Sequence, residues 1–218
     1  MASSHPSLIA AARDRIADAR ERALGGRVLV GIAGAPGAGK STLATSVATA
    51  LIASGGPDAA IAVGMDGFHL ANDVLARLGL TERKGAPETF DPYGFLGLVR
   101  RLRSADEPIV YAPTYSRTLH ESIGSAVAIP AAVRTVVIEG NYLLLDQTPW
   151  DEVRKLLDLV IYLDTPTSLR VPSLLRRQRS RGLDHAAAVD WVYRSDEANA
   201  AIVAVTRDRA DVVLTRPE

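Results

Sequence analysis

The sequence predicts an α/β protein: a doubly wound, mostly parallel sheet with helices on both faces. Two observations carry this expectation. Short, mainly apolar runs recur at 27–33 (RVLVGIA), 60–65 (AIAVGM), 133–138 (VRTVVI), 159–163 (LVIYL) and 210–214 (ADVVL), as strands buried on both faces must be. Stretches with helical spacing separate them, which is the alternation of a parallel sheet with crossover helices.

Each element has its own signal. Residues 6–24 place Leu8, Ile9, Ala12, Ile16, Ala19, Ala23 and Leu24 at helical spacing, and Gly25-Gly26 ends the helix. The first strand runs into a glycine-rich turn and then a helix at 40–54, closed by Gly55-Gly56-Pro57. Strand, turn and helix make the first half of a βαβ unit. The stretch 66–91 is mixed, with one helix near 72–78. Residues 92–103 read as an amphipathic helix that starts with Pro92. Residues 108–130 read as irregular or a small hairpin, and 165–181 and 184–199 as helices. No repeat, low-complexity tract or linker interrupts the chain, so 1–218 is expected to form a single domain with a small lid near 165–185.

Composition excludes several classes of function. Of 218 residues 47% are hydrophobic and 23% charged, so the chain can bury a core. Lys plus Arg and Asp plus Glu both number 25. That balance gives no footprint for nucleic acid or an anionic membrane. There is no cysteine, which excludes disulfides and thiolate metal sites and suits a cytoplasmic location. Residues 1–12 lack a basic leader region and do not read as a signal peptide.

One motif decides the chemistry. Residues 34–41 read GAPGAGKS, a full match to the phosphate-binding P-loop pattern between a strand and a helix. Backbone N–H groups of Gly34, Ala35, Gly37, Ala38 and Gly39 on either side of Pro36, with the first helical residues as far as Thr42, are expected to surround phosphate oxygens. Lys40 would reach the β- and γ-phosphates, and the Ser41 hydroxyl would ligate Mg²⁺. ATP and Mg²⁺ are the expected cofactors. The chain has no N-K-x-D base-reading motif and no L-S-G-G-Q signature, so neither a GTPase nor a transporter ATPase is supported.

Further residues narrow the class. Asp66 follows the second strand, expected beside the P-loop strand, at the carboxyl end where open sheets place ligands. It suits a base for an attacking hydroxyl. Glu139 ends the apolar run VVIEG, where P-loop proteins hold an acid near Mg²⁺. Arg170, Arg176, Arg177, Arg179 and Arg181 crowd one predicted helix, and a closing lid of that kind supplies charge at the transferring group.

The P-loop, MDGFHL at 65–70, RKGAPETFD at 83–91, APTYSR at 112–117 and Glu139-Gly140 together resemble the pantothenate kinase, uridine kinase and phosphoribulokinase family. The chain is most similar to its subgroup labelled fructose transport system kinase or nucleoside kinase-like. The resemblance covers most of the chain and implies a P-loop NTPase fold with an Arg-rich lid. It also implies transfer of the γ-phosphate of ATP to a hydroxyl of a small molecule: a sugar, a nucleoside or a pantothenate-like compound, with a fructose-type sugar first. Lys40, Asp66 and Arg177 are then the expected catalytic residues, and Arg170 joins residues 34–42 at ATP. Phe68, His69, Arg83, Lys84, Phe90, Asp91, Tyr115, Arg117 and His120 would border the acceptor. A homodimer fits the resemblance. A nucleoside monophosphate kinase and a non-catalytic ATP-binding regulatory module are the alternatives, and neither has need of Asp66.

Overall fold

A computed structural model describes residues 5–217. Its elements are α1 (Pro6–Arg22), β1 (Val28–Ala33), α2 (Lys40–Gly55), β2 (Ile61–Gly64), α3 (Asn72–Arg77), α4 (Pro92–Ser104), β3 (Ile109–Ser116), β4 (Glu121–Pro130), β5 (Thr135–Glu139), α5 (Trp150–Leu156), β6 (Leu159–Asp164), α6 (Thr167–Ser180), α7 (His185–Trp191), a π-helical turn (Val192–Asp196), α8 (Glu197–Ala204) and β7 (Val212–Thr215).

Five strands form a parallel sheet in the order β2-β5-β1-β6-β7. The chain is α/β with a P-loop fold, as the apolar runs predict. Along β1 the side chains alternate between two cores. Val28, Val30 and Ile32 face α1 and α2, whose Leu8, Ile16, Leu43 and Val47 are buried against them. Leu29 and Ala33 face the core that holds Phe95, Leu102, Ile129 and Val153. Fully burying one such aliphatic side chain contributes roughly 2 kcal/mol, so β1 is held from both sides.

The amino ends of the strands are closed by side chains. Asp158 accepts from the Leu29 N–H at 2.7 Å, and Asp211 accepts from the Val160 N–H at 2.6 Å. The Arg27 guanidinium donates to the carbonyls of Val133, Leu102, Pro130 and Ala131. Strand carbonyl ends are left to the opposite rim, and β1, β2 and β5 all deliver functional side chains there.

Three regions differ from expectation. Residues 108–130 form a long antiparallel hairpin, β3–β4, with an irregularity between Ala112 and Thr114 beside Pro113. Its first strand alternates buried Val110 and Ala112 with exposed Tyr111, a half-buried pattern that the flanking prolines obscure. The expected helix at 184–199 is α7, the π turn and α8, and it runs on to Ala204. Helix α5, anchored by the fully buried Trp150, has no counterpart in the expected elements. Of residues 1–12, which lack the marks of a leader, 1–4 lie outside the described residues. No helix among the described residues is long and apolar enough to cross a membrane.

Candidate active site

The P-loop is shaped by tying down its carbonyls. Lys40 Nζ donates to Ala35 O at 3.0 Å, Arg170 Nη1 to Pro36 O at 3.2 Å, and Thr165 Oγ1 to Ala38 O at 3.0 Å. With these carbonyls engaged, and the Ala38 N–H itself bonded to Ala35 O at 3.1 Å, the loop's other N–H groups can face a bound anion at the start of α2. Gly34 must be glycine: its φ is +151°, and a Cβ there would lie 2.6 Å from Leu163 O.

Next to the loop, Ser41 Oγ donates to Glu139 Oε1 at 2.9 Å. Glu139 ends β5 and is opposite Gly64 in the β2 register. A Cβ on Gly64 would stand 3.0 Å from Glu139 Oε1, so the glycine makes room for the carboxylate. Burial, with Asp66 adding to it, pushes the Glu139 carboxyl above the usual carboxylate range. Burial pushes the Lys40 ammonium down to about 8, against the pull of Glu139 and Asp66. Phosphate beside Lys40 and a cation beside Glu139 would relieve both penalties. The donor set is all oxygen, which fits Mg²⁺. Among the described residues no group of three His, Cys, Asp or Glu side chains surrounds a metal, so nucleotide oxygens and water would complete its shell.

Asp66 sits in a short 3₁₀ turn, Met65–Phe68, directly after β2. Its carboxylate has no hydrogen-bond or ion-pair partner among the described residues. It lines a cleft of about 240 Å³ with Ser41, Thr45, Glu139, Thr114, Tyr115 and Arg117. The β3–β4 hairpin therefore forms the outer wall of the cleft.

The expected acceptor residues separate into two groups. Tyr115 and Arg117 line the cleft together with Asp66, and Arg117 has no ion-pair partner among the described residues. His69 stands just behind, its ring 4.0 Å from that of Phe90 and 4.9 Å from that of Tyr115. His69 Nδ1 lies 2.8 Å from Asp66 O. A carbonyl only accepts, so Nδ1 carries the proton. Burial pushes the ring's pKa down, which keeps it neutral.

The other residues expected at the acceptor are structurally engaged. Phe68 packs edge-on against Phe95 at 5.3 Å. Phe90 is buried among Tyr142 and Trp150. Arg83 is exposed and pairs with Glu88. Lys84 Nζ donates to Asn72 Oδ1 and to His120 O, and it stands 5.3 Å from the Tyr115 ring. His120 turns the hairpin with φ at +56° and contributes its carbonyl. Asp91 caps α4, accepting from the Gly94 N–H at 2.8 Å.

Of the five arginines, α6 turns Arg170 and Arg177 inward. Arg170 is 6% exposed and pairs with Glu197 at 2.8 Å as well as holding Pro36. Its guanidinium braces the loop from behind. Arg177 pairs with Asp196 at 3.2 Å and is among the cations acting on Lys40. Arg176 and Arg179 point to solvent. Arg181 lies 5.9 Å from the Trp191 ring, and its charge reaches Tyr115.

Sequence reasoning passed over Thr165 and Gln178, and it gave Asp196 no role. Thr165 lies just past the β6 run and was hidden by its small size. Arg216 was also missed; its Nη1 would be 3.4 Å from a Cβ on Gly39, which places a cation against the P-loop from just beyond β7.

Comparison with known proteins agrees with this geometry. The model of the phosphoribulokinase / uridine kinase family matches residues 29–218. A candidate uridine kinase of Schizosaccharomyces pombe is 32% identical over 194 residues, covering 86% of this chain and 83% of its own. A pantothenate kinase of Clavibacter michiganensis is 33% identical over 157 residues, covering 71% of this chain and 49% of its own length. The crystal structure of a candidate fructose transport system kinase from Silicibacter sp. TM1040 superposes with a TM-score of 0.79 at 41% identity, covering 87% of this chain and 90% of that one. The chain is a small-molecule kinase and belongs to the phosphoribulokinase / uridine kinase family.

Proposed function

We propose that the chain transfers the γ-phosphoryl group of Mg·ATP to a hydroxyl of a small molecule held between Asp66 and the β3–β4 hairpin. The unpartnered Asp66 carboxylate in the cleft beside Ser41 and Glu139 is the observation that carries this reading. A hydroxyl acceptor must lose a proton, whereas a phosphate acceptor need not, and a carboxylate in the cleft supports the reading that Asp66 takes it. The acceptor oxygen attacks the γ-phosphorus, its proton passes to the Asp66 carboxylate, and the bond to the β-phosphate oxygen breaks to release ADP. Lys40 neutralises charge on the β- and γ-phosphates, and Arg177 adds positive charge from α6. Mg²⁺, held through Ser41 and Glu139, supplies charge neutralisation at the phosphate oxygens when bound.

The acceptor side has a cation, Arg117, an aromatic wall, Tyr115, and the neutral His69. A free sugar is the first acceptor to try, with the name of the Silicibacter relative in support. A nucleoside and a pantothenate-like compound come next, by the names of the other two.

Two variants test the reading together. Lys40→Ala is expected to abolish ATP turnover. Asp66→Asn is expected to bind Mg·ATP as the wild type does while turnover falls by at least about a hundredfold. Near-normal turnover in Asp66→Asn would remove the carboxylate from the role of base.

A further inference from the structure

The turn that joins α7 to α8 holds a buried acid that the phosphotransfer chemistry does not itself use. Asp196 is 6% exposed and closes the π turn Val192–Asp196. A π turn inserts one residue into a helix and rotates the residues beyond it, and such insertions cluster at functional sites. Here the rotation turns Asp196 toward α6. Its Oδ1 accepts from Arg177 Nη2 at 3.2 Å, and its Oδ2 accepts from Gln178 Nε2 at 3.2 Å. The turn is fixed from its other side as well, because Arg194 donates to Glu82 O at 3.1 Å and to Glu82 Oε2 at 3.0 Å.

The face of α6 that carries Arg177 lies along the P-loop. Arg170 holds Pro36 O, and a Cβ on Gly37 would meet Leu174 Cγ at 2.8 Å. Arg177 comes three residues after Leu174, on the same face. About one-third of the Arg177 side chain stays exposed, so the guanidinium is gripped on one side and open on the other. A long arginine side chain left ungripped would sample many rotamers, and fixing it beforehand is what makes its charge effective at a transferring group.

We propose that Asp196 is a positioning residue for Arg177: from the π turn its carboxylate holds the guanidinium at the phosphate end of the P-loop. The proposal rests on the phosphotransfer reading, in which Arg177 meets the γ-phosphate. Asp196 touches no substrate and acts through Arg177. Gln178 keeps the second carboxylate oxygen engaged, so the acid cannot pivot away from the arginine.

The test is a double-mutant cycle read by nucleotide affinity, which needs no acceptor. Affinities for ADP and for β,γ-imido-ATP, each with Mg²⁺, are measured for the wild type, Arg177→Ala, Asp196→Asn and the double variant. Arg177→Ala is expected to lose the preference for the triphosphate. Asp196→Asn is expected to reduce that preference about fivefold or more, with ADP affinity unchanged. The double variant should match Arg177→Ala, because residues acting as one unit are non-additive. Asp196→Ser, which leaves room for a water, should repeat the pattern if the amide disturbs folding. A preference unchanged or raised in Asp196→Asn, or a further loss in the double variant, would overturn the proposal. If Arg177→Ala keeps the triphosphate preference, the phosphotransfer role of Arg177 fails, and the proposal falls with it. If that preference is lost and Asp196→Asn is silent, only the proposal falls.

Discussion

At the scale of single residues, the site is governed by which charges have partners. Arg83 spends its charge on Glu88 at the surface, while Arg117 stands in the cleft without a counter-ion among the described residues. Arg117→Ala is therefore expected to raise the acceptor KM about tenfold, with the ATP KM nearly unchanged, and Arg83→Ala to alter neither by more than about twofold. Steady-state kinetics with each substrate varied in turn checks both. Asp196 gives a second contrast. Burial pushes its carboxyl above the usual range, against Arg177, Gln178 and Arg181 on α6 and at its end, and with Glu197 on α8 adding to it. A raised folded pKa means that the native state holds its proton to higher pH than the unfolded chain. The contribution to stability is therefore present at acid pH and lost as pH rises through the folded pKa. Thermal unfolding of Asp196→Asn should then show a midpoint at pH 7 no lower than that of the wild type. Its advantage should shrink as pH falls through the folded pKa, where the wild-type acid takes up its proton. A markedly lower midpoint at pH 7 would make Asp196 a stabilising residue. The residues most readily read from the sequence were those whose type alone restricts their chemistry: Lys40, Ser41, Asp66 and Glu139. The identities of Asp91, Phe90 and Arg83 were equally visible, but their commitments to a cap, a core and a surface pair depend on how the folded chain surrounds them.

At the scale of elements, strand and helix signals were strong wherever burial was uniform. The β1 run and α2 are apolar on the faces that meet the two cores, and their positions match the sequence pattern closely. The hairpin was harder, since its outer residues from Ile123 to Ala126 are exposed and carry no periodic apolar signal. The π turn left no local sign either, because its geometry answers to α6 rather than to its own residues. Helix α6 is the element that packs directly against the P-loop. Leu174 fills the space under Gly37, and Leu174→Ala is expected to cost about 3 kcal/mol of stability. The same variant should weaken nucleotide binding, because the P-loop loses its floor. Denaturant unfolding together with ATP titration checks this, and a destabilised variant with wild-type ATP affinity would show that α6 does not support the loop.

At the scale of the whole molecule, a parallel sheet gathers the ends of β1, β2 and β5 on one rim. The phosphate loop, the proposed base and the proposed magnesium-side acid are thereby brought together from residues 34–41, 66 and 139. The shared rim was legible from the alternation of strands and helices, but the strand order was not: Asp66 was expected on a strand beside that of the P-loop, and β5 lies between β2 and β1. The proposed acceptor pocket was less legible, since the hairpin that walls it is set against β2 and the turn after it by contacts distant in sequence. The most direct measurement is Mg·ATP-dependent ADP release by the wild type and Asp66→Asn across free sugars, nucleosides, pantothenate and nucleoside monophosphates. The expected result is strong stimulation by one hydroxyl acceptor that Asp66→Asn loses. Stimulation by a nucleoside monophosphate alone, undiminished in Asp66→Asn, would contradict it.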